Sequence, residues 1–154
     1  MQRTFAMLKP DAVQRGLVGE IIARIERTGL RLVAMKMVRA TQQQAEEQYG
    51  EEIARKHGEH VRQWLLEYIQ EGPVVPMVWE GPNAISTVRA VAGDRPSPDQ
   101  CTPGTIRRDL CTDSQELATA DGRAIRNLIH TSDAPDSAER EMKIWFGPDE
   151  LAEA

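Results

Sequence analysis

The sequence has little cysteine, few aromatic residues and no long apolar run, and these shortages exclude several classes of protein. Two cysteines, Cys101 and Cys111, are too few for a disulfide scaffold or a cysteine-rich zinc site. No apolar stretch approaches the roughly 20 residues that a membrane-spanning helix needs. The first residues, MQRTFAMLKPDA, contain no signal-peptide core. We therefore expect a cytoplasmic protein with free thiols.

The two glycine-rich motifs that bind nucleotide phosphates are also missing. The chain contains neither G-x-x-x-x-G-K-[ST] nor G-x-G-x-x-G, which argues against a P-loop kinase and a Rossmann enzyme. A net charge of -5 argues against general affinity for nucleic acid, and basic and aromatic residues are not interleaved. A few convergent arginines can still create a positive site on an acidic protein. Any phosphate group would then be held by side chains.

Hydrophobic periodicity predicts one domain over residues 1–154, in which strands alternate with helices. Strands are predicted over residues 4–9, 30–39, 74–80 and 142–146, and within the second of them Val33, Met35 and Met37 share one face. Helices are predicted near 18–25, 41–49, 61–69 and 85–92. Residues 93–127 have little periodicity, and a long irregular segment inside a compact domain is usually functional. The alternation predicts a single sheet covered by helices, with the strand order left open.

Four basic residues are candidates for binding phosphate groups. Lys9 ends the first strand, Arg89 lies on a helix, and Arg107 and Arg108 lie in the irregular segment. The planar guanidinium group of arginine matches phosphate oxygens in pairs. Each of these residues taken alone is more often a solvated surface charge. Only their convergence in space would indicate a site.

His130 is one of three histidines, and it lies where an apolar run gives way to polar residues. A metal site is disfavoured, because no residues at ligand spacing accompany it. A structural histidine is the ordinary interpretation of a lone histidine. A neutral imidazole is also a competent nucleophile toward phosphorus, provided that a partner orients its other ring nitrogen. Asp133, Glu139 or Glu141 could supply that partner.

Five sequence blocks resemble the nucleoside diphosphate kinase family. They are KPDAVQRGLVGEI (9–21), GPVVPMVWEG (72–81), PGTIR (103–107), NLIHTSD (127–133) and SAEREMKIWF (137–146). The blocks occur in the order of the family, and the similarity runs from about Arg3 to Glu150. The N-x-x-H-x-S-D pattern is the most specific of them.

The resemblance implies an α+β fold, a ferredoxin-like α/β sandwich in which helices cover a four-stranded antiparallel sheet. It implies transfer of the γ-phosphoryl group from a nucleoside triphosphate, typically ATP, to a nucleoside diphosphate by a ping-pong reaction through phosphohistidine. Mg²⁺ is expected to arrive with the nucleotide rather than in a protein metal site. The alternative is a nucleotide-binding regulatory member of the fold with little turnover.

The resemblance also implies roles for individual residues. His130 matches the nucleophile, and Ser132 and Glu141 match the pair that orients it. Lys9 matches the lysine on the ribose and the transferring phosphoryl group. The remaining matches are an active-site tyrosine, the two arginines on the phosphates and the asparagine on the sugar hydroxyls: Tyr49, Arg89, Arg107 and Asn127.

The sequence departs from the family pattern where the base is expected to bind. Val61, with Leu65 beside it, occupies the place of an aromatic residue that stacks on the base. A valine stacks poorly, so weaker base binding is expected unless Trp64 or His60 substitutes. The base preference is left open.

Three further departures lie in the irregular segment. Arg95 stands near the place of a phosphate-contacting threonine, and Arg108 stands where glycine is usual. Residues 112–123 form an insertion, which is either a tolerated surface loop or an added lid or subunit contact. A homo-oligomer is expected from the resemblance, with dimer, tetramer and hexamer all open.

Overall fold

The protein is built on one antiparallel sheet, seen here in a computed structural model that describes residues 1–153. Its strands in that range are β1 (Gln2–Leu8), β2 (Arg31–Met35), β3 (Val75–Gly81) and β4 (Ile129–Thr131), arranged in the order β2-β3-β1-β4. The central β1 pairs along its whole length with β3, and its last three residues also pair with β4. That second pairing sets His130 opposite Met7.

Nine helices surround the sheet within residues 1–153. They are α1 (Pro10–Gln14), α2 (Val18–Glu26), α3 (Gln42–Gln48), α4 (Glu51–His57), α5 (Glu59–Ile69), α6 (Ala84–Ala92), α7 (Ile106–Leu110), α8 (Gln115–Asp121) and α9 (Pro135–Trp145). No helix in this range is long and apolar enough to cross a bilayer.

The alternation of side chains along β1 supplies both halves of the core. Ala6 and Leu8 point to one face of the sheet, where α2 and α6 pack. Phe5 and Met7 point to the other face, where they pack with residues of α3, α5 and α9. All four side chains are fully buried. The expected α/β sandwich with a four-stranded antiparallel sheet is therefore confirmed.

The predicted strand over residues 142–146 is wrong, because residues 142–145 form the end of α9 and Phe146 is its C-cap. Five alternating residues fit a strand, but the buried residues Ala138, Glu141 and Trp145 repeat at i, i+3 and i+7, which is a helical period. The fourth strand is β4, which has only three residues. A segment that short contains too few residues to reveal a period.

The predicted common face of Val33, Met35 and Met37 is also wrong. The register between β2 and β3 shifts between Leu32 and Ala34, which leaves Val33 as an extra residue. Such a bulge interrupts the alternation of side chains. Val33 is buried, whereas Met35 and Met37 are 49% and 56% exposed. The regular strand ends at Met35, earlier than predicted.

The segment 93–127 contains more helix than its sequence suggested. It includes a short 3-10 turn at Pro98–Gln100, followed by α7 and α8. The predicted insertion at 112–123 consists mostly of α8, which begins at the Ser114 cap and ends at Gly122 in the left-handed conformation. The irregular segment is therefore a series of short, capped helices.

Candidate active site

A cavity of about 430 Å³ lies between the helical hairpin formed by α4 and α5 and the segment 93–127. Its lining includes eight residues that the sequence singled out: Lys9, Tyr49, Val61, Leu65, Arg89, Arg107, Asn127 and His130. Residues separated by up to 121 positions in the chain therefore converge on one space. Basic residues, His130 and apolar residues of the hairpin all line this space.

His130 is held at the edge of the cavity by a buried carboxylate. Its Nε2 atom lies 2.9 and 3.0 Å from the two carboxylate oxygens of Glu141, which projects from α9. The Ser132 hydroxyl donates to Glu141 Oε1 at 2.6 Å. No hydrogen bond from residues 1–153 reaches the Nδ1 atom of His130. The ring is therefore anchored through one nitrogen, and the other nitrogen is left without a partner in this part of the chain.

The ionised state of Glu141 decides the tautomer of His130. Burial alone would raise the pKa of Glu141, but interaction with His130 and hydrogen bonds from His130 and Ser132 leave that pKa lowered overall. An ionised carboxylate only accepts hydrogen bonds, so the neutral imidazole carries its proton on Nε2. This assignment follows from the hydrogen-bond network. The Nδ1 atom then keeps a free lone pair.

Gln48 makes a competing contact with the same ring nitrogen. Its amide nitrogen lies 3.1 Å from His130 Nε2, and the Trp145 indole donates to its amide oxygen at 2.9 Å. An indole N–H only donates, so Trp145 fixes which end of the amide faces His130. A hydrogen bond from Gln48 requires Nε2 to be an unprotonated acceptor, whereas a hydrogen bond to Glu141 requires Nε2 to be a protonated donor. We assign the proton to the bond with Glu141, because hydrogen bonds to an ionised partner are about twice as strong.

Lys9 and Asn127 form a buried pair beside His130. The Lys9 ammonium group donates to Asn127 Oδ1 at 2.8 Å and lies 4.9 Å from the centre of the Tyr68 ring. The Asn127 amide nitrogen donates to the Pro96 carbonyl at 2.9 Å. Burial, with a contribution from the positive charge of Arg107, lowers the pKa of Lys9 from 10.5 to about 7. An anion bound nearby would stabilise the charged form of this lysine.

Arg107 is a buried cation surrounded by carbonyl groups. Its guanidinium donates to the main-chain oxygens of Gly93 at 2.9 Å, Arg95 at 3.1 Å and Asn127 at 3.4 Å, and also to that of Ile129. None of these partners carries a negative charge, and burial lowers the pKa of Arg107. A buried charge without a counter-ion is costly, so the arrangement favours binding of an anion.

The turn that delivers His130 contains a residue in an unfavourable conformation. Leu128 has φ of 72°, which is uncommon for a residue with a large side chain. Asp11 accepts a hydrogen bond from its amide at 3.2 Å and another from the Tyr68 hydroxyl at 2.6 Å. The Leu128 carbonyl in turn accepts from the amide of Lys9 at 2.8 Å. These bonds fix Asn127 and His130 relative to Lys9.

Tyr49 presents an unsatisfied polar group beside the cavity. Its ring meets the His130 ring edge-on, with centroids 6.0 Å apart. Its hydroxyl is buried and has no hydrogen-bond partner among residues 1–153. Burial, followed by the negative charge of Glu141, raises the pKa of Tyr49, so the hydroxyl remains a donor. A buried hydroxyl donor without a partner is available to donate a hydrogen bond to an acceptor atom of a ligand.

The apolar part of the cavity is built on the hairpin. Ile53, Val61, Trp64 and Leu65 line it, together with His57. His60 is outside the lining and packs edge-on against Trp64, with ring centroids 5.1 Å apart. Of the two substitutes considered for the missing aromatic residue, Trp64 therefore lines the cavity.

Two arginines that the sequence singled out, Arg95 and Arg108, do not line the cavity. The Arg95 side chain is exposed and outside the cavity lining, while its carbonyl accepts from Arg107 and from Cys101 Sγ. The Arg108 guanidinium donates to the Asp99 carbonyl at 2.8 Å and is also outside the lining. Lys9, Arg89 and Arg107 are the three candidate cations that converge.

Several residues of the site were not predicted from the sequence. Gln48 and Trp145 act on His130 from helices distant in sequence, and no local motif marks them. Asp11 stands in the block that follows Lys9, and its position just after the strand was the available signal. The inserted helix α8 also lines the cavity, a role that its sequence leaves open beside that of a tolerated surface loop.

Comparison with known proteins identifies the family. A sequence model described as nucleoside diphosphate kinase matches residues 2–151. The chain belongs to the nucleoside diphosphate kinase family. Its relatives include the nucleoside diphosphate kinase of Symbiobacterium thermophilum, 47% identical over 96% of this chain and 88% of that protein. That of Archaeoglobus fulgidus is 46% identical over 98% of this chain and 90% of that protein.

Solved nucleoside diphosphate kinases share the fold. A transition state mimic of the enzyme from Borrelia burgdorferi, with bound vanadate and ADP, superimposes with a TM-score of 0.95 at 37% identity. The alignment covers 99% of this chain and 91% of that one. The enzyme from Pyrobaculum aerophilum gives a TM-score of 0.91 at 38% identity, covering 99% of both chains. The activity is therefore that of the family, transfer of a phosphoryl group from a nucleoside triphosphate to a nucleoside diphosphate.

Proposed function

We propose that this nucleoside diphosphate kinase works by a ping-pong reaction in which Nδ1 of His130 carries the phosphoryl group. The observation that supports the assignment is the bond between His130 Nε2 and the buried, ionised Glu141. It holds the proton on Nε2 and leaves the Nδ1 lone pair available for attack. Ser132 assists by fixing Glu141.

In the first half-reaction the Nδ1 lone pair forms a bond to the γ-phosphorus. The bond between that phosphorus and the β,γ-bridging oxygen breaks, and the nucleoside diphosphate leaves with the electron pair. The Nε2 proton stays in its hydrogen bond with Glu141, which stabilises the positive charge on the phosphorylated ring. The second half-reaction reverses these steps toward a different diphosphate.

The basic residues of the cavity neutralise the transferring phosphates. Lys9, Arg89 and Arg107 line the same cavity as His130, and the hydrogen-bond partners of Arg107 are main-chain carbonyls without negative charge. The unpaired Tyr49 hydroxyl is a further donor. Phosphoryl transfer depends mainly on positioning and charge stabilisation, which this arrangement can supply.

The ribose and base would extend from the phosphates toward the hairpin. Asn127, next to Lys9, is the candidate for the sugar hydroxyls, with Val61 and Leu65 at the base. The ADP and vanadate bound to the Borrelia burgdorferi enzyme support the proposal that this fold binds a nucleotide next to the transferring phosphoryl group. Arg95 has no such support in this structure, so a phosphate contact from its side chain would require the loop to move.

Magnesium is proposed to bind with the nucleotide. Residues 1–153 contain no group of three or more histidine, cysteine, aspartate or glutamate side chains suited to a metal ion. Asp94 is the carboxylate in the cavity lining and could bind the water shell of the ion. This donor set fits Mg²⁺, which commonly keeps several waters and relies on substrate phosphates. The bound ion would neutralise phosphate charge.

The proposal is tested by comparing the loss of two histidines that both line the cavity. His130→Ala should abolish transfer of label from γ-labelled ATP to CDP and also the labelling of the protein. His57→Ala, at the apolar part, should retain both. Labelled protein in His130→Ala would assign the nucleophile elsewhere. Nucleotide binding without transfer in the wild type would favour the regulatory alternative.

Association into a homo-oligomer and a cytoplasmic location are proposed as well. β2 is an edge strand, and Met35 at its end and Met37 two residues beyond it are exposed. Unpaired edges and exposed apolar side chains favour association with another copy. The two free cysteines, Cys101 and Cys111, support a reducing compartment.

A further inference from the structure

The insertion at 112–123 supplies part of the lining of the cavity that the hairpin also lines. Gln115, Ala118 and Thr119 of α8 line the space, as do Arg123, Ala124 and Ile125 immediately after it. The hairpin contributes Val61, Trp64 and Leu65 to the same lining. The cavity is therefore lined by two separate segments of the chain, one of which consists largely of inserted residues.

The position of α8 is fixed at its start by a buried serine. The amide of Gln115 donates to Ser97 Oγ at 2.9 Å, and Ser97 is 1% exposed. Ser114 caps the helix by accepting from the Leu117 amide at 3.2 Å. Ser97 follows the carbonyl groups of Gly93 and Arg95 that bind Arg107, so α8 is attached to the loop that holds the phosphate-site arginine.

The far end of the insertion is closed by an ion pair. Arg123 binds both carboxylate oxygens of Asp113, at 2.6 and 3.0 Å, and Asp113 also accepts from the Arg126 amide at 2.8 Å. Burial would raise the pKa of Asp113, but these hydrogen bonds leave it lowered. The ion pair joins the two ends of the insertion, and the bond to Arg126 joins them to the segment that leads into β4, the strand of His130. A segment fixed at both ends is suited to form a wall.

The chemistry of the two walls suits a nucleobase. Ala118, Ala124 and Ile125 make this part of the lining apolar, and Ile125 is the half-buried member of the three. The hairpin side is apolar and carries the indole of Trp64. Thr119 and Gln115 add polar groups at the exposed margin. Flat apolar faces with polar groups at the edge are what a purine or pyrimidine ring requires.

We propose that α8, with residues 123–125, is the second wall of a base-binding cleft and that Thr119 limits the size of base it accepts. The inference rests on the proposed function, because it places a nucleotide with its phosphates at His130. It assigns the insertion a part in substrate specificity, in compensation for the hairpin's lack of an aromatic residue at Val61.

Two matched variants test the inference. Thr119→Trp places a large side chain in the cleft, and Ala120→Trp places the same side chain at an exposed position outside the lining. Thr119→Trp should raise KM for GDP about tenfold and KM for CDP less, since a purine needs more room, with kcat unchanged. Ala120→Trp should behave as the wild type. An unchanged KM in Thr119→Trp, or equal effects of the two variants, would overturn the proposal.

Hydrogen exchange provides a second test without a mutation. Mg-ADP should slow amide exchange in α8, whereas tripolyphosphate, which lacks ribose and base, should not. Exchange slowed equally by both, or by neither, would contradict contact between α8 and the base. Failure of the proposed function would be recognised separately, as absence of phosphoenzyme with saturating Mg-ATP in the wild type.

Discussion

Two neighbours of His130 require opposite protonation states of the same ring nitrogen, Nε2. Glu141 accepts from Nε2 at 2.9 Å, while the Gln48 amide nitrogen approaches the same atom at 3.1 Å. A ring nitrogen can donate or accept, but it cannot do both at once. Since the Gln48 amide is a donor at this position, it opposes any additional proton on the ring. Gln48 therefore opposes the Nε2–H tautomer that attack on phosphorus requires, and the bond with Glu141 is what holds the proton there.

Replacing this amide by a carboxylate should change the pH dependence of the reaction. Gln48→Glu keeps an acceptor for the Trp145 indole but adds a second negative charge beside Nε2, which favours the doubly protonated imidazole. We expect the acid limb of the kcat/KM profile to move to higher pH, with the rate largely recovered in alkaline solution.

Gln48→Met is the matched control for that variant. It removes the opposing N–H group without adding a charge, so its acid limb should move toward higher pH by less than that of Gln48→Glu. It also leaves the Trp145 indole without its acceptor, so some thermal stability should be lost. An unshifted profile in Gln48→Glu would show that the contact has no bearing on the charge of the ring.

The lowered pKa of Lys9 predicts proton uptake on nucleotide binding. With that pKa at about 7 in the free protein, most of this lysine is neutral at pH 8. Bound phosphates stabilise the ammonium form, so binding of ADP should take up a proton and weaken as pH rises above 7. Calorimetry at pH 8 in buffers of different ionisation enthalpy measures the uptake. Lys9→Met should bind without it, and equal uptake in both proteins would contradict the assignment.

The lowered pKa of Lys9 also affects the free energy of unfolding, which should rise with pH where nucleotide affinity falls. The unfolded chain keeps the Lys9 proton up to about pH 10.5, whereas the folded chain releases it near pH 7. Between these values the unfolded state binds more protons, so this residue makes the folded state more stable as pH rises. Stability and nucleotide affinity should therefore respond oppositely to pH in this window.

At the scale of elements, sequence patterns predicted long segments better than short ones. The helices near 41–49, 61–69 and 85–92 and the two long strands β1 and β3 were found, because each presents several turns or alternations. β4 has three residues and depends on pairing with β1, which no local pattern reveals. Met142–Phe146 alternates like a strand, but the helical period across the whole of α9 prevails.

The site shows the same division. The family pattern indicated Lys9, Asn127 and His130, and the structure brings them together. Gln48 and Trp145 could not be found, since their effect depends on the packing of α3 and α9 against β1. The bulge at Val33 was equally hidden, because it is a property of the pairing with β3.

The hairpin of α4 and α5 carries a prediction of its own. Val61→Phe places an aromatic ring in the lining of the cavity, and base–aromatic stacking is worth about 1–3 kcal/mol per base. We expect the nucleotide KM to fall about tenfold with kcat unchanged. Steady-state kinetics with GDP and CDP measures the effect. An unchanged KM for both substrates would show that the base is held away from the hairpin.

At the scale of the whole molecule, the exposed edge of the sheet is the feature that most favours association. Replacement of Met35 and Met37 by lysine should shift the protein toward smaller species in light scattering after size exclusion. Leu117, 54% exposed on α8, provides the control, and Leu117→Lys should leave the size unchanged. If the double variant keeps the mass of the wild-type assembly, another surface forms the contact.

The central claim is that His130 carries the phosphoryl group between two nucleotides. Its most direct test is the intact mass of the purified protein after brief exposure to Mg-ATP, before and after excess GDP is added. We predict a gain of one acid-labile phosphoryl group, which disappears on addition of GDP as GTP forms. No gain in mass where ATP demonstrably binds would contradict the phosphohistidine mechanism.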